Sequence, residues 1–388
     1  MIQVNKFNSM KKMFFAGFIG LLLFEILNVY LIMPMPGSQK MNSIDIAYFL
    51  YQWRWAFRVV FGGLLLAGLF SANWKRKWVP AIPLIILVAI AYMVNFKMAA
   101  DHMFYQPQKV LMVTAAANKV DSNRQVIGII NKGEAKAYPI QFLGYHHQVQ
   151  DSIGGKPVIV TYCTVCRTGR VYEPTVNGIP EQFRLVGMDH FNAMFEDATT
   201  KSWWRQVSGE AITGKSKGLQ MPEFFSTQTS LSKWLKLNPN SLIMQADPEF
   251  KSEYDTTFKF ESGKSKSTLT GTDSVSGKDK SWVIGVKAGN ERKAYDWNIL
   301  KKERIIMDKI GDRPVMVVLA ADDKSFFAFE RPDENALFTL KNDTISLGAH
   351  HYKINGLAIG TDVSLKSLPA YQEFWHSWKT FNADTKKY

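Results

Sequence analysis

The only two cysteines of this 388-residue chain stand three positions apart, at Cys163 and Cys166. Thiols at that spacing can form a structural bridge, cycle between dithiol and disulfide, or bind a soft metal ion. As a staple the bridge is weak, because closing so short a loop removes only about 2 kcal/mol of unfolded-state entropy. A chain of this length does not need it to hold a core. Redox chemistry is the leading reading, with Cys163 attacking a partner disulfide and Cys166 resolving the mixed disulfide.

Two histidines precede the pair by one strand's length. If a hairpin turns on Gly154 and Gly155, His146 falls directly opposite Cys163, whereas a three-residue turn places His147 there. A protonated imidazole beside the first sulfur would stabilise its thiolate. The plainer alternative is a solvated strand end. A metal site is the competing use of the same residues: two thiolates with His146 and a fourth ligand suit Zn, and thiolates with Met188 or Met194 suit Cu(I). His190 is the best remaining ligand candidate. The chain has no second C-x-x-C and no H-x-x-x-H, which leaves a zinc set less than half complete.

The elements that must position these groups are announced by an internal repeat. Slid by 157 positions, residues 126–162 align without a gap on residues 283–319, sharing Val-Ile-Gly, Glu-x-Lys-Ala-Tyr and Asp-x-Ile-Gly-x-x-Pro-Val. Each copy reads as a β-hairpin, a short helix and a second β-hairpin, with residues 163–280 as an insertion between them. The expected fold is α+β, mostly antiparallel β, behind an α-helical membrane anchor. The copies differ where chemistry would sit. Cys163 and Cys166 face Ala320 and Asp323, and His146 and His147 face Glu303 and Arg304. Only the first copy is armed. A thioredoxin fold is not expected, because Arg167-Thr168-Gly169-Arg170-Val171-Tyr172 continues the cysteines as turn and strand rather than as a helix.

Residues 1–97 read as a three-helix transmembrane anchor and residues 98–388 as an extracytoplasmic domain. The spans run from about Met13 to Met33, Ala56 to Ala72 and Val79 to Phe96, each near the roughly 20 residues that a bilayer requires. Lys6, Lys11 and Lys12 before the first span, and Lys75-Arg76-Lys77 between the second and third, place the N-terminus in the cytoplasm. The domain after residue 97 then lies in the periplasm or outside the cell. Arg58 at the start of the second span is expected to snorkel to the interface, and Glu25 is the one acidic group within the first. The net charge of +13 is scattered, with no basic stripe interleaved with aromatics, so the expected partner is an anionic lipid surface and not nucleic acid. No Rossmann, P-loop or haem-attachment motif is present.

At Thr161-Tyr162-Cys163-x-x-Cys166, at Gly209-Glu210-Ala211-Ile212-x-Gly214 and at the Gly-Glu-Ala-Lys-Ala-Tyr-Pro stretch of residues 133–139, the chain resembles the bacterial family called domain of unknown function 3179, over roughly residues 110–330. Some relatives carry selenocysteine in the cysteine motif. The resemblance therefore implies redox use of Cys163 and Cys166, with His146 as the family's usual histidine and Trp204, Gln206, Gly209 and Glu210 as the core of a downstream signature. The chain departs from the family pattern near His190 and Asn192. Taken as residues alone, Lys201 to Glu210 read as an amphipathic strand whose tryptophans fill a core, and Glu210 is a candidate proton acceptor for the thiols. The sequence-level reading is a thiol–disulfide exchange protein acting on an extracytoplasmic thiol or disulfide partner. Its rivals are a Cu or Zn delivery module and a non-catalytic scaffold with a structural disulfide.

Overall fold

The computed structural model describes residues 2–388, with side chains from residue 9 onward; Lys6, invoked above for orientation, lies outside the described side chains. The chain divides into two compact units. One comprises residues up to 105 together with 183–204 and 211–218, and the other comprises 106–182, 205–210 and 219–388.

The first unit is built on helices α1 (Ile2–Tyr30), α2 (Ile44–Gln52), α3 (Arg54–Ser71) and α4 (Trp78–Tyr92). Three stretches, Ser9–Tyr30, Arg54–Ser71 and Trp78–Lys97, are long and apolar enough to cross a membrane. Their outer faces leave Phe70, Val59, Ile85 and Val88 exposed. Glycine lets α1 and α3 approach closely, since a Cβ on Gly17 would meet the Leu65 backbone and one on Gly68 would meet that of Phe14. Arg58 does not snorkel outward. It binds Glu25 through both guanidinium edges, at 2.7 and 3.0 Å, and donates to Asn95 Oδ1 at 2.8 Å. The carboxylate, buried among apolar helices, is thereby paired inside the bundle. A three-stranded antiparallel sheet of Phe183–Asp189, Asn192–Asp197 and Trp203–Arg205 lies largely in this unit.

The second unit is mostly antiparallel β, in several small sheets. Its first half runs β1 (Gln125–Asn131), β2 (Glu134–Pro139), α5 (Ile140–His146), β3 (Gln148–Ile153), β4 (Lys156–Cys163), β5 (Thr168–Tyr172), β6 (Ser226–Ser230), α6 (Leu231–Leu237) and β7 (Leu242–Met244). Its second half runs β8 (Trp282–Ala288), β9 (Glu291–Asp296), α7 (Trp297–Glu303), β10 (Ile305–Ile310), β11 (Arg313–Leu319), β12 (Phe326–Glu330), β13 (Ala370–Phe374), α8 (Trp375–Phe381) and β14 (Lys386–Lys387). The pairings match half by half. β6 and β13 each lie antiparallel to the first hairpin strand, and β7 and β14 each lie parallel to the second.

Local chemistry explains these elements. β3 and β4 join through the two-residue turn Gly154-Gly155, both left-handed at φ 54° and 80°, the backbone that a tight hairpin twist demands. Helices α5 and α7 each end on a left-handed residue, His147 and Arg304, whose N–H closes onto Leu143 and Leu300. Each half seats a buried tryptophan on a glycine. Trp234 lies where a Cβ on Gly128 would be, Trp378 where one on Gly285 would be, and their indole N–H groups donate to Ser241 and Thr385 at 2.7 and 2.8 Å. One apolar core gathers Val126, Ile127, Tyr138, Leu143, Val160 and Trp234; the other gathers Ile284, Val286, Tyr295, Leu300, Val317 and Phe326.

Candidate functional site

The cysteines sit on a β-hairpin. Cys163 ends β4 and pairs with Thr168 at the start of β5, and the four residues between them, Thr164 to Arg167, make the turn that carries Cys166. Arg167 takes a left-handed backbone at φ 58°. No helix follows the pair. No disulfide joins the two sulfurs, which are fully buried and hydrogen-bond to one another. Burial pushes the Cys166 thiol well up, and the hydrogen bond and charge of Cys163 and the Glu373 charge add to that; the hydrogen bond with Ser377 acts in the opposite direction. At neutral pH Cys166 is accordingly a protonated thiol that needs a base before it can attack.

Two buried arginines fix the turn. The Arg167 guanidinium stacks over the Trp282 ring at 3.6 Å, donates to the carbonyls of Phe260 and Glu261 at 2.8 Å each, and reaches Gln372 Oε1 at 3.2 Å. Arg170 lies over the Tyr371 ring at 3.5 Å and pairs with Glu373 at 2.9 Å, with both side chains at most 1% exposed. The Phe374 N–H donates to the Cys166 carbonyl at 2.9 Å. Strand β13 and helix α8, from the second half of the unit, thus close over a hairpin that belongs to the first.

The expected site residues divide between different places. The β3–β4 register is the one that opposes His146 to Cys163 by number, with Gln148 facing Thr161. The ladder starts at Gln148, however, and His146 is the last residue of α5. Its Nε2 meets Tyr254 Oη at 2.8 Å inside an aromatic box of Tyr145, Phe250 and Tyr254. His147 links the same corner to the cysteine strand, its carbonyl accepting from the Tyr162 N–H at 2.9 Å. Burial lowers the His147 imidazole to about 4, so it is neutral at pH 7 and supplies no cation to a thiolate.

Gln206 supports the hairpin directly, its amide donating to Thr161 Oγ1 at 2.9 Å and to the Thr168 carbonyl at 3.2 Å. Glu210 is half exposed and stands 3.8 Å from Arg205. Trp204 is fully buried in the first unit and donates to Asp197 at 2.8 Å. His190 also belongs to that unit, held by Asp189 at 2.7 Å and Asn42 at 3.1 Å. Met194 is part of its apolar core. Among the described residues no group of three or more His, Cys, Asp or Glu side chains is arranged to hold a metal ion.

Ser377 and Glu373 carry no motif that marks them in the sequence. The signal available for them was position. β6 and α6 recur as β13 and α8 at a spacing of 144, from Ser226 to Ala370 and from Leu231 to Trp375. That register puts Glu373 where the first half has Thr229 and Ser377 where it has Lys233.

The family model described as protein of unknown function (DUF3179) matches residues 106–385, and the chain belongs to that family. No curated protein and no solved structure matches it.

Proposed function

We propose that this member of the family is a membrane-anchored, extracytoplasmic protein whose Cys163–Cys166 dithiol exchanges with disulfides of a thiol partner. The observation that carries the reading is the pair itself: two thiols hydrogen-bonded to one another on a hairpin turn, with a serine and a carboxylate against the second. A purely structural pair needs no such acid–base company. The reaction is an ordinary exchange. Cys163 attacks one sulfur of the partner disulfide and expels the other as a thiolate. Cys166 then attacks the Cys163 sulfur, forming the internal disulfide and expelling the second thiolate. The dithiol is oxidised by two electrons, the partner disulfide is reduced by two, and the two thiol protons end on the departing thiolates.

Both sulfurs are covered, so exchange is gated by movement of the segment around residues 371–377 that closes over the turn. The anchoring part of the proposal rests on the three apolar helices of residues 1–97, with the cytoplasmic N-terminus read from the lysines and arginines flanking them. The matched elements of the second unit support an internal duplication in which one copy kept the thiols and the other supplies their cover. Cys163→Ser in the full-length protein tests the function. Disulfide exchange is expected to vanish in this variant, and exchange at the wild-type rate would sink the assignment.

A further inference from the structure

The dithiol belongs to the first half of the second unit, yet the groups beside its second sulfur come from the far end of the chain. Ser377 hydrogen-bonds to Cys166. Ser377 Oγ in turn donates to Glu373 Oε1 at 2.5 Å, and the other Glu373 oxygen is held by Arg170 Nη2 at 2.9 Å. Ser377, Glu373 and Arg170 are all buried. The geometry is set by main chain: Glu373 is fixed in the β13–β8 ladder opposite Val283, and Phe374 N–H grips the Cys166 carbonyl. Thiol, hydroxyl and carboxylate therefore stand in series whenever the 371–377 segment is closed on the turn.

We infer that Ser377 and Glu373 form a relay that receives the Cys166 proton when Cys166 closes on Cys163, so that the C-terminal copy completes the redox site. The inference rests on the redox reading above. Ser377, which touches the reacting sulfur, passes its own hydroxyl proton to Glu373 as it accepts the proton of the thiol. The sulfur left as thiolate attacks the Cys163 sulfur of the mixed disulfide, and the partner's departing thiolate finally takes the proton. Glu373 acts through Ser377 and is a positioning residue. Arg170 orients its carboxylate. The other charged or titratable groups around the turn are Cys163 and Tyr162 on β4, Arg167 in the turn, His376 on α8 and Glu261. The second half of the unit needs this equipment for no purpose of its own, since its positions corresponding to the cysteines are Ala320 and Asp323.

The test uses reduced full-length protein in detergent, mixed with oxidised glutathione and quenched at intervals by alkylation. Intact mass then separates dithiol, glutathione adduct and internal disulfide. Opening of the cover governs the first step for every variant, so the relay is read from the second step, the lifetime of the adduct. Wild type is expected to close without accumulating adduct. Ser377→Ala, which keeps the Arg170–Glu373 pair, is expected to accumulate adduct on Cys163 and to close about a hundredfold more slowly, the low end of a proton-transfer contribution. Ser377→Thr restores the hydroxyl and is expected to restore closure. Cys166→Ser marks the fully arrested adduct. If Ser377→Ala closes at the wild-type rate while wild type cycles, the relay is refuted and the redox function stands. If wild type takes up no glutathione, the redox reading fails and the relay fails with it.

Discussion

Removing either member of the buried Arg170–Glu373 pair should destabilise the second unit far more than removing both. The guanidinium and carboxylate lie 2.9 Å apart, at 1% and 0% exposure. Deleting one leaves the other charged and out of water, which costs about 3–5 kcal/mol. Arg170→Met strands Glu373 with only Ser377 as donor, and Glu373→Leu strands Arg170 between Tyr371 and the Gly169 carbonyl. For a unit of this size each kilocalorie shifts the melting temperature by about 2–4 °C, so either variant should melt roughly 6–20 °C lower. The double variant replaces the pair with apolar groups of similar bulk and should return to within about 2 kcal/mol of wild type. Thermal denaturation of the full-length protein in detergent, followed by near-ultraviolet circular dichroism, completes the cycle. Two single losses that simply add in the double variant would refute the claim that these charges stabilise each other.

Two further outcomes follow from the same packing and electrostatics. Gly128→Ala and Gly285→Ala drive a Cβ into Trp234 and Trp378 respectively, and each should cost about 1–3 kcal/mol by overpacking; because Trp378 shares α8 with Ser377, only Gly285→Ala should also slow closure of the dithiol in the glutathione assay. His147 is depressed from 6.5 to about 4 by burial, so the folded protein takes up its proton later than the unfolded chain as the pH falls. Its contribution is complete above about pH 6.5 and is lost progressively down to about pH 4, by about 3 kcal/mol. His147→Asn, which tolerates the left-handed backbone at φ 60°, should flatten that part of the pH–stability profile relative to wild type.

Much of this architecture is legible in the sequence because its determinants are local. Three apolar runs flanked by Lys and Trp mark the candidate spans, and Gly154-Gly155 marks the turn that sets the β3–β4 register. The elements from Gln125 to Ile153 recur from Trp282 to Ile310 at the spacing of 157 that residue identities announce. What escaped reading depends on contacts between distant segments. His146 has the strand number that opposes Cys163, but a helix ending at that residue turns its ring into the aromatic box with Tyr254. The correspondence between Ser226–Ser230 and Ala370–Phe374 shares only a Gln at its centre, so no identity pattern exposes it. Backbone pairing preserved the strand while its side chains diverged to Tyr371, Glu373 and Phe374. Those are the residues that close over the thiols. Arg58 similarly reads as an interfacial charge until folding brings Glu25 and Asn95 to it.

The most direct test of the central claim is the reduction potential of the Cys163–Cys166 pair in the full-length protein, equilibrated against glutathione, with metal content measured on the same reduced sample. A redox-active dithiol requires a metal-free pair with a potential of roughly −120 to −270 mV. A potential well below about −300 mV would mark an inert bridge, and stoichiometric Cu or Zn on the reduced thiols would mark a metal site; either result would contradict the account.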